Sequence, residues 1–187
     1  MTKTRKFAAF IAAALALLSL AACGDTKTEQ GFEAQLFFVS PAYIESGSGE
    51  PYVLETRELE PSEKNQYLAV LDELRAPGDG AETALSGFIE IRSVRSSIFG
   101  GTLTVDFSSN NLSGSSMEED LLIGQIVRTL ILSYPGVETV QFTVDGLLAE
   151  TLMGHIGILD AFRLDQADDG QGGTVYTLVP VPCTGFT

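Results

Sequence analysis

Residues 102–146 read TLTVDFSSNNLSGSSMEEDLLIGQIVRTLILSYPGVETVQFTVDG, and this stretch decides the fold. Apolar and polar side chains alternate over Thr102–Phe107 and again over Val137–Val144, as they do in strands with one buried face. Between them, apolar residues recur at helical spacing from Leu122 to Ile131 and predict a helix over Met117–Ser133. The stretch therefore predicts a strand, a helix and a second strand.

The ends of these elements carry their own signals. Ser116 and Glu119 have the spacing of a capping box at the start of the helix. Pro135-Gly136 ends the helix. Asp145-Gly146 is a strong hairpin signal and predicts a further strand over Leu147–Thr151.

The flanking sequence adds shorter elements. An apolar stripe after Pro61 predicts a second helix, and residues 40–51 have the composition of a loop. Further strands are predicted at Ala34–Val39, Tyr52–Leu59, Phe88–Val94 and Thr174–Val181. The order of elements predicts an α+β fold, a small mixed β-sheet with two helices packed on one face.

The N-terminus has the pattern of a secretory signal. Three basic residues precede an apolar run of 14 residues, Phe7–Leu20, which is shorter than the ~20 residues needed to span a bilayer. Leu20-Ala21-Ala22-Cys23 resembles a bacterial lipobox. We expect residues 1–22 to be removed, Cys23 to carry lipid, residues 23–33 to form a tether, and the protein to be extracytoplasmic and anchored to the cell membrane. The alternative is an ordinary signal peptide that contains a cysteine.

The charge of the mature chain limits its partners. It keeps eight of the 11 basic residues and all 25 acidic ones, which gives a formal charge of −17. This charge disfavours nucleic acid and charge-driven binding to anionic lipid. Basic proteins and diffusely bound divalent cations stay open, although net charge also serves solubility alone. With Cys23 lipidated, Cys183 has no partner in the chain, and neither an internal disulfide nor a zinc site is expected.

His155, the single histidine, is the first candidate for chemistry. It stands in an apolar turn close to Gly157, where a lone histidine more often makes a structural hydrogen bond than acts as a base or ligand. A serine nucleophile is not indicated, because the sequence contains no Gly-x-Ser-x-Gly elbow. We expect a structural role.

Asp106, Asp145 and Asp160 could approach one another, and paired carboxylates can serve acid–base catalysis or calcium binding. None lies in an Asp-x-Asp-x-Asp-Gly loop, and a turn already accounts for Asp145. A site here is therefore not expected. The densest acidic patch comprises Asp165, Asp168 and Asp169. We predict a solvated loop there, with a weak calcium site as the alternative.

Four segments together resemble the GerMN domain of sporulation proteins, spore-germination proteins and other bacterial surface lipoproteins. They are Thr104-Val105-Asp106-Phe107-Ser108, Tyr134-Pro135-Gly136-Val137, Val140–Gly146 and Glu150–His155. The resemblance covers residues 34–160 and leaves residues 161–187 as a C-terminal extension with a possible added strand. The chain departs from the family where Ser86–Glu90 replaces the usual Ile-Pro-x-Gly-Thr segment.

The resemblance implies an α+β domain related to the ring-building modules of sporulation secretion complexes, with a role in protein assembly and no known catalysis. Its motif positions are interpreted as structural, and no catalytic, cofactor or metal residue is assigned. These positions are Asp106, Asp145, Gly146, Gly154 and His155.

The leading hypothesis is a lipid-anchored, non-catalytic envelope domain. It would bind envelope or sporulation-complex proteins and need no cofactor. A homo-oligomer is a further option within this hypothesis. The alternatives are an extracytoplasmic module for a small ligand or divalent cation and, third, a hydrolase using His155. A concave polar pocket that holds His155 and two carboxylates would favour the alternatives, and a flat, apolar edge would favour the first.

Overall fold

The computed structural model describes residues 31–60, 65–98, 100–170 and 172–182. The predicted signal peptide, Cys23 and Cys183 lie outside these residues. The described elements are β1 Phe32–Val39, α1 Pro41–Ser46, β2 Tyr52–Leu59, α2 Gln66–Glu73, β3 Ile91–Ser96, β4 Gly101–Phe107, α3 Ser116–Ser133, β5 Val137–Val144, β6 Ala161–Asp168 and β7 Thr174–Val181. They confirm the α+β fold. None of the helices in the described part of the chain is long and apolar enough to cross a membrane.

The larger sheet has the strand order β3-β4-β5-β6-β7. The strands β4 and β5 are parallel and are connected through α3, and the other pairs are antiparallel. The apolar stripe of α3 is buried in the core, as the sequence predicts, except that Ile131 is half-buried. Its buried members include Ile123, Ile126, Val127 and Leu130.

The C-terminal segment contributes two strands to this sheet. Asp165 and Asp168 lie in β6, so their assignment to a solvated loop is wrong. On β6 only Ala161 and Phe162 are buried, and the rest of the strand pairs with β7 as an exposed ribbon. The sequence pattern identifies β7 but not β6, because β6 carries polar or charged residues at most positions after Phe162.

The smaller sheet contains β1 and β2, paired antiparallel from Phe32↔Leu59 to Val39↔Tyr52. On the other side of β1, α3 takes the place of a neighbouring strand. Thr129 Oγ1 accepts the N–H of Phe37 at 3.1 Å, and Ser133 Oγ accepts that of Gln35 at 2.9 Å. The strands are thus divided between two sheets, because helix hydroxyls satisfy one edge of β1.

Two local predictions are wrong. Residues 41–46 form α1 within the expected loop, with Pro41 in the first turn and Gly47 as a left-handed cap at φ +66°. The strand over Leu147–Thr151 is absent. Asp145 and Gly146 do form the expected tight turn, with φ of +51° and +77°, and Val144 bridges Leu147. The chain then leaves the sheet.

The capping box of α3 lies one residue earlier than predicted. Ser115 Oγ accepts the N–H of Glu118 at 3.2 Å, and Glu118 Oε2 accepts the N–H of Ser115 at 2.7 Å. Glu119, assigned to the box from the sequence, turns into the protein instead.

Candidate functional site

Glu119 fixes a loop that runs from Glu150 to Ile158. Its side chain is 0% exposed. Three backbone N–H groups of the loop donate to its carboxylate; they belong to Leu152 at 2.9 Å, Met153 at 2.8 Å and His155 at 2.8 Å. The Ile158 N–H closes the loop on the Glu150 carbonyl at 2.9 Å. A buried carboxylate needs such partners, so Glu119 is satisfied without a cation.

His155 lies on the surface of this loop. Its ring Nε2 is 3.2 Å from the carbonyl oxygen of Gly114, which can only accept, so Nε2–H is the donor. Within the described residues no hydrogen bond joins the ring to a carboxylate or a serine hydroxyl. The contact fits the predicted structural role, but the ring is exposed rather than filling the turn. Beside it, Gly154 has φ +103°, which favours glycine.

Asp106 and Asp145 do approach each other, with Arg92 between them. Arg92 Nη1 is 2.7 Å from Asp145 Oδ1, and Arg92 Nε is 3.8 Å from Asp106 Oδ2. Asp106 is buried, and its Oδ1 accepts Thr143 Oγ1 and the Gly146 N–H, both at 2.7 Å. The cluster therefore ties β3 to the ends of β4 and β5.

The electrostatics of this cluster are those of a structural ion pair. Hydrogen bonds from Ser109 and Arg92 hold the pKa of the Asp145 carboxyl below its ordinary value. No contact between described residues joins Asp160 to the pair. Throughout the described ranges, no group of three or more His, Cys, Asp and Glu residues is placed to hold a metal ion.

A cavity of about 340 Å³ lies between α1 and the start of α3. Its wall includes the apolar side chains of Ile44, Met117 and Met153, and the carboxylate of Glu118. That carboxylate already caps α3. The wall contains neither His155 nor the Asp106–Asp145 pair, so the polar pocket expected for a catalytic or cation-binding module is not formed by them.

On the other outer strands, groups from elsewhere in the chain bond the backbone at individual positions. On β3, the Val94 carbonyl accepts Asn65 Nδ2 at 2.6 Å. On β7, the Tyr176 carbonyl accepts Arg128 Nη2 at 3.0 Å, and Pro180 has no N–H to offer. At the end of β1, Val39 bridges Glu82, next to the contacts with α3. Such cover prevents unwanted strand pairing.

The outer edge of β2 differs from the others. In an antiparallel pair, residues opposite the outward-directed positions of β1 also direct their own N–H and C=O outward. The β1 residues bonded to α3 and Glu82 are opposite Thr56, Leu54 and Tyr52. Among the described residues, no group bonds the outward N–H and C=O groups of β2. Val53 and Leu54 are 39% and 51% exposed.

The sequence reasoning missed Glu119, Arg92 and this edge. For Glu119 a signal exists: it precedes Leu122, Ile123 and Ile126 by three, four and seven residues, which places it on the apolar stripe. A carboxylate on a buried stripe must bond groups from elsewhere in the fold. The partners of Arg92 and the state of the β2 edge depend on residues distant in the chain.

Comparison with known proteins identifies the family. The model of the Germane family, described as sporulation and spore germination, matches residues 35–150. The first GerMN domain of the sporulation protein GerM from Bacillus subtilis is 15% identical, with a TM-score of 0.54 over 67% of this chain and 92% of that chain. The tandem GerMN domains of the same protein are 22% identical, with a TM-score of 0.50 over 73% of this chain and 48% of that chain.

A candidate lipoprotein of Clostridium perfringens is 15% identical, with a TM-score of 0.47 over 75% of this chain and 91% of that chain. No curated protein matches the sequence at a significant level. The likeness to the solved structures concerns the fold, and the family model spans more than half of the sequence. The chain belongs to the Germane family of sporulation and spore germination.

Proposed function

We propose that this protein is a lipid-anchored, extracytoplasmic and non-catalytic domain that binds an extended segment of another cell-envelope protein along the outer edge of β2. The membership of a sporulation and germination family supports a role beside sporulation-complex or other envelope proteins. The signal and lipobox pattern that ends at Cys23 supports the anchor.

The open edge of β2 is the observation that carries this proposal. An extended peptide adds to an unpaired strand through main-chain hydrogen bonds, and side-chain contacts supply the specificity. Tyr52, Leu54, Thr56 and Glu58 direct their backbone groups outward, and Val53 and Leu54 offer apolar contact beside them. On β3 and β7, Asn65 and Arg128 each bond one outward carbonyl, and on β1 the hydroxyls of α3 bond two N–H groups, whereas no described group bonds the outward positions of β2.

The charge at the C-terminal end of β2, around Glu58, indicates the chemistry of the partner. Glu58 is directly opposite Glu33, both are exposed, and like charges in this position repel. Arg57, by contrast, is paired with Glu55 at 2.8 Å and Glu73 at 3.1 Å. A partner strand with lysine or arginine next to Glu58 would relieve the repulsion, in accord with the charge of −17 of the mature chain. The proposed partner segment is therefore extended and basic.

The proposal is tested by placing a photo-crosslinking residue at position 54 of the full-length protein in intact envelopes. Thr56→Pro removes one outward N–H without touching the ladder to β1. The matched control, Thr56→Val, keeps that N–H and a side chain of similar shape. We expect crosslinks to another protein in the parent and in Thr56→Val, a loss of at least tenfold in Thr56→Pro, and lower yield at high salt.

Melting curves establish that both variants are folded. Unchanged crosslinks in folded Thr56→Pro would contradict strand addition. A crosslinked product of two copies of this chain would contradict a different protein as the partner.

A further inference from the structure

The hairpin between β3 and β4 presents the most exposed large apolar side chain of the described residues. Ile98 is 97% exposed at its tip. The turn is held by hydrogen bonds from Ser97 N–H to the Thr102 carbonyl at 2.9 Å, from Gly100 N–H to the Ser97 carbonyl at 3.0 Å, and from Ser97 Oγ to the Gly100 carbonyl at 2.6 Å. The fold thus holds an isoleucine out in solvent on a well-bonded turn.

This tip lies at the end of the domain where the chain enters from its N-terminus. The Phe32 ring, in the first residue of β1, packs against Tyr134 with ring centroids 5.3 Å apart. Tyr134 lines a cavity of about 290 Å³ together with Gly100 and Gly101 of the hairpin. A neighbour of the entry point and residues of the hairpin therefore line the same cavity.

The opposite end of the domain is defined by the parallel pair. Because β4 and β5 run in the same direction, Gly101 and Val137 mark the end near the tip, and Phe107 and Val144 mark the far end. Leu147, 71% exposed, follows Val144 directly after the tight turn and belongs to the far end.

The length of chain before β1 limits how far the domain can stand from a lipid on Cys23. Nine residue steps separate Cys23 from Phe32, so the link reaches at most ~30 Å. This length keeps the entry point, and with it the end that carries Ile98, within ~30 Å of the lipid on Cys23. Of the charged side chains on the hairpin, Arg95 is exposed near the tip, whereas Arg92 is paired with Asp145 at the far end, and Glu138 is the acidic side chain next to Gly101.

We infer that Ile98 enters the boundary between headgroups and acyl chains of the membrane to which Cys23 anchors the protein, an inference that rests on the proposed lipid anchor. Burial of one apolar side chain binds a membrane more weakly than a lipid anchor does, so Ile98 orients an anchored domain without being able to anchor it alone. In this orientation Leu147 points away from the membrane. The outer edge of β2 then runs away from the bilayer. It begins at Tyr52, far from the membrane, and ends at Leu59, near the entry point.

The test uses full-length lipidated protein in vesicles of phosphatidylethanolamine and phosphatidylglycerol. With Cys183→Ser as background, Ile98→Cys carries an environment-sensitive fluorophore, and Leu147→Cys carries the same label as the matched control. We expect a several-fold rise in fluorescence on vesicle binding and quenching by nitroxide lipid at position 98. Position 147 should show neither effect.

Flotation of the vesicles separates the two ideas. If the protein floats but the fluorescence at position 98 does not change, or changes as much as at position 147, this inference is contradicted. The proposed lipid anchor is not contradicted by that result. Protein that does not float contradicts the anchor and this inference together.

Discussion

The carboxylate of Glu119, in the first turn of α3, accepts the backbone N–H of His155 at 2.8 Å, although 36 residues separate them in the sequence. The same carboxylate holds the N–H groups of Leu152 and Met153. The conformation of the Glu150–His155 segment is therefore determined from outside the segment, by a side chain of the preceding helix.

Glu119→Ala is expected to lower the free energy of unfolding by about 3–5 kcal/mol, because three N–H groups lose a buried acceptor at ~1–3 kcal/mol each with partial relief by water. Glu119→Gln keeps one carbonyl oxygen and should lose less. Asp120→Asn, exposed in the same turn, serves as the control and should change stability by at most ~0.5 kcal/mol. Urea unfolding measures all three. Equal midpoints for Glu119→Ala and Asp120→Asn would refute the role of Glu119.

His155→Ala should cost at most about 1 kcal/mol, because the exposed ring makes one hydrogen bond, to Gly114, and alanine keeps the backbone N–H that Glu119 holds. Partner crosslinking from position 54 should fall only as far as folding falls. Thermal melting and crosslinking are measured on the same preparation. A variant with wild-type melting and complete loss of partner binding would make His155 a binding residue instead.

Sequence patterns predict the elements whose structure depends on residues close together in the chain. The strand at Tyr52–Leu59, the stripe of α3 and the Asp145-Gly146 turn are readable because periodicity and turn chemistry act over a few residues. The β2 edge is not readable in this way. Which edge of that sheet is bonded depends on Thr129 and Ser133, which lie more than 90 residues from their partners on β1.

The same distinction between contacts that are local in the sequence and contacts that are distant applies to the candidate site. Asp145 and Gly146 are identifiable from the turn they build, but Asp106 lies on β4, and the Arg92 that joins the two carboxylates lies on β3. The one-residue error in the capping box has a physical cause as well. Two acids, Glu118 and Glu119, follow two serines, and only burial decides which acid caps the helix.

Thr129→Val should destabilise the protein by about 1–3 kcal/mol, because the buried N–H of Phe37 loses its acceptor while the shape of the side chain is kept. Thr129→Ser retains the hydroxyl and should lose less. Hydrogen exchange at the Phe37 amide should accelerate in the valine variant only. Equal stability and exchange in the two variants would mean that α3 does not serve as the neighbour of β1.

Cys23→Ala should release the protein from the membrane fraction or leave its signal unprocessed, because the sulfur that would carry the lipid is removed. Fractionation of cells and the mass of the protein report the two outcomes. Normal maturation with unchanged membrane partition after detergent-free washing would contradict lipidation of Cys23. A Cys183→Ala variant controls for the loss of a thiol.

The capping box yields a pair of stability predictions and a pH dependence. Ser115→Ala should cost about 1 kcal/mol, because it removes the cap, whereas Ser116→Ala should stay within ~0.5 kcal/mol. Hydrogen bonds from the backbone N–H and the hydroxyl of Ser115 hold the pKa of Glu118 below its ordinary value of 4.5. The unfolded chain therefore takes up this proton at higher pH than the folded protein does. The contribution of Glu118 is complete above that value and is lost as the pH falls through the lowered pKa of the folded state.

The difference in unfolding free energy between the wild type and Glu118→Gln should accordingly be constant near neutral pH and shrink in acid. Urea unfolding over a series of pH values measures it. A difference that persists at the acid end, or a larger loss for Ser116→Ala than for Ser115→Ala, would move the cap back to the position that the spacing of Ser116 and Glu119 predicts.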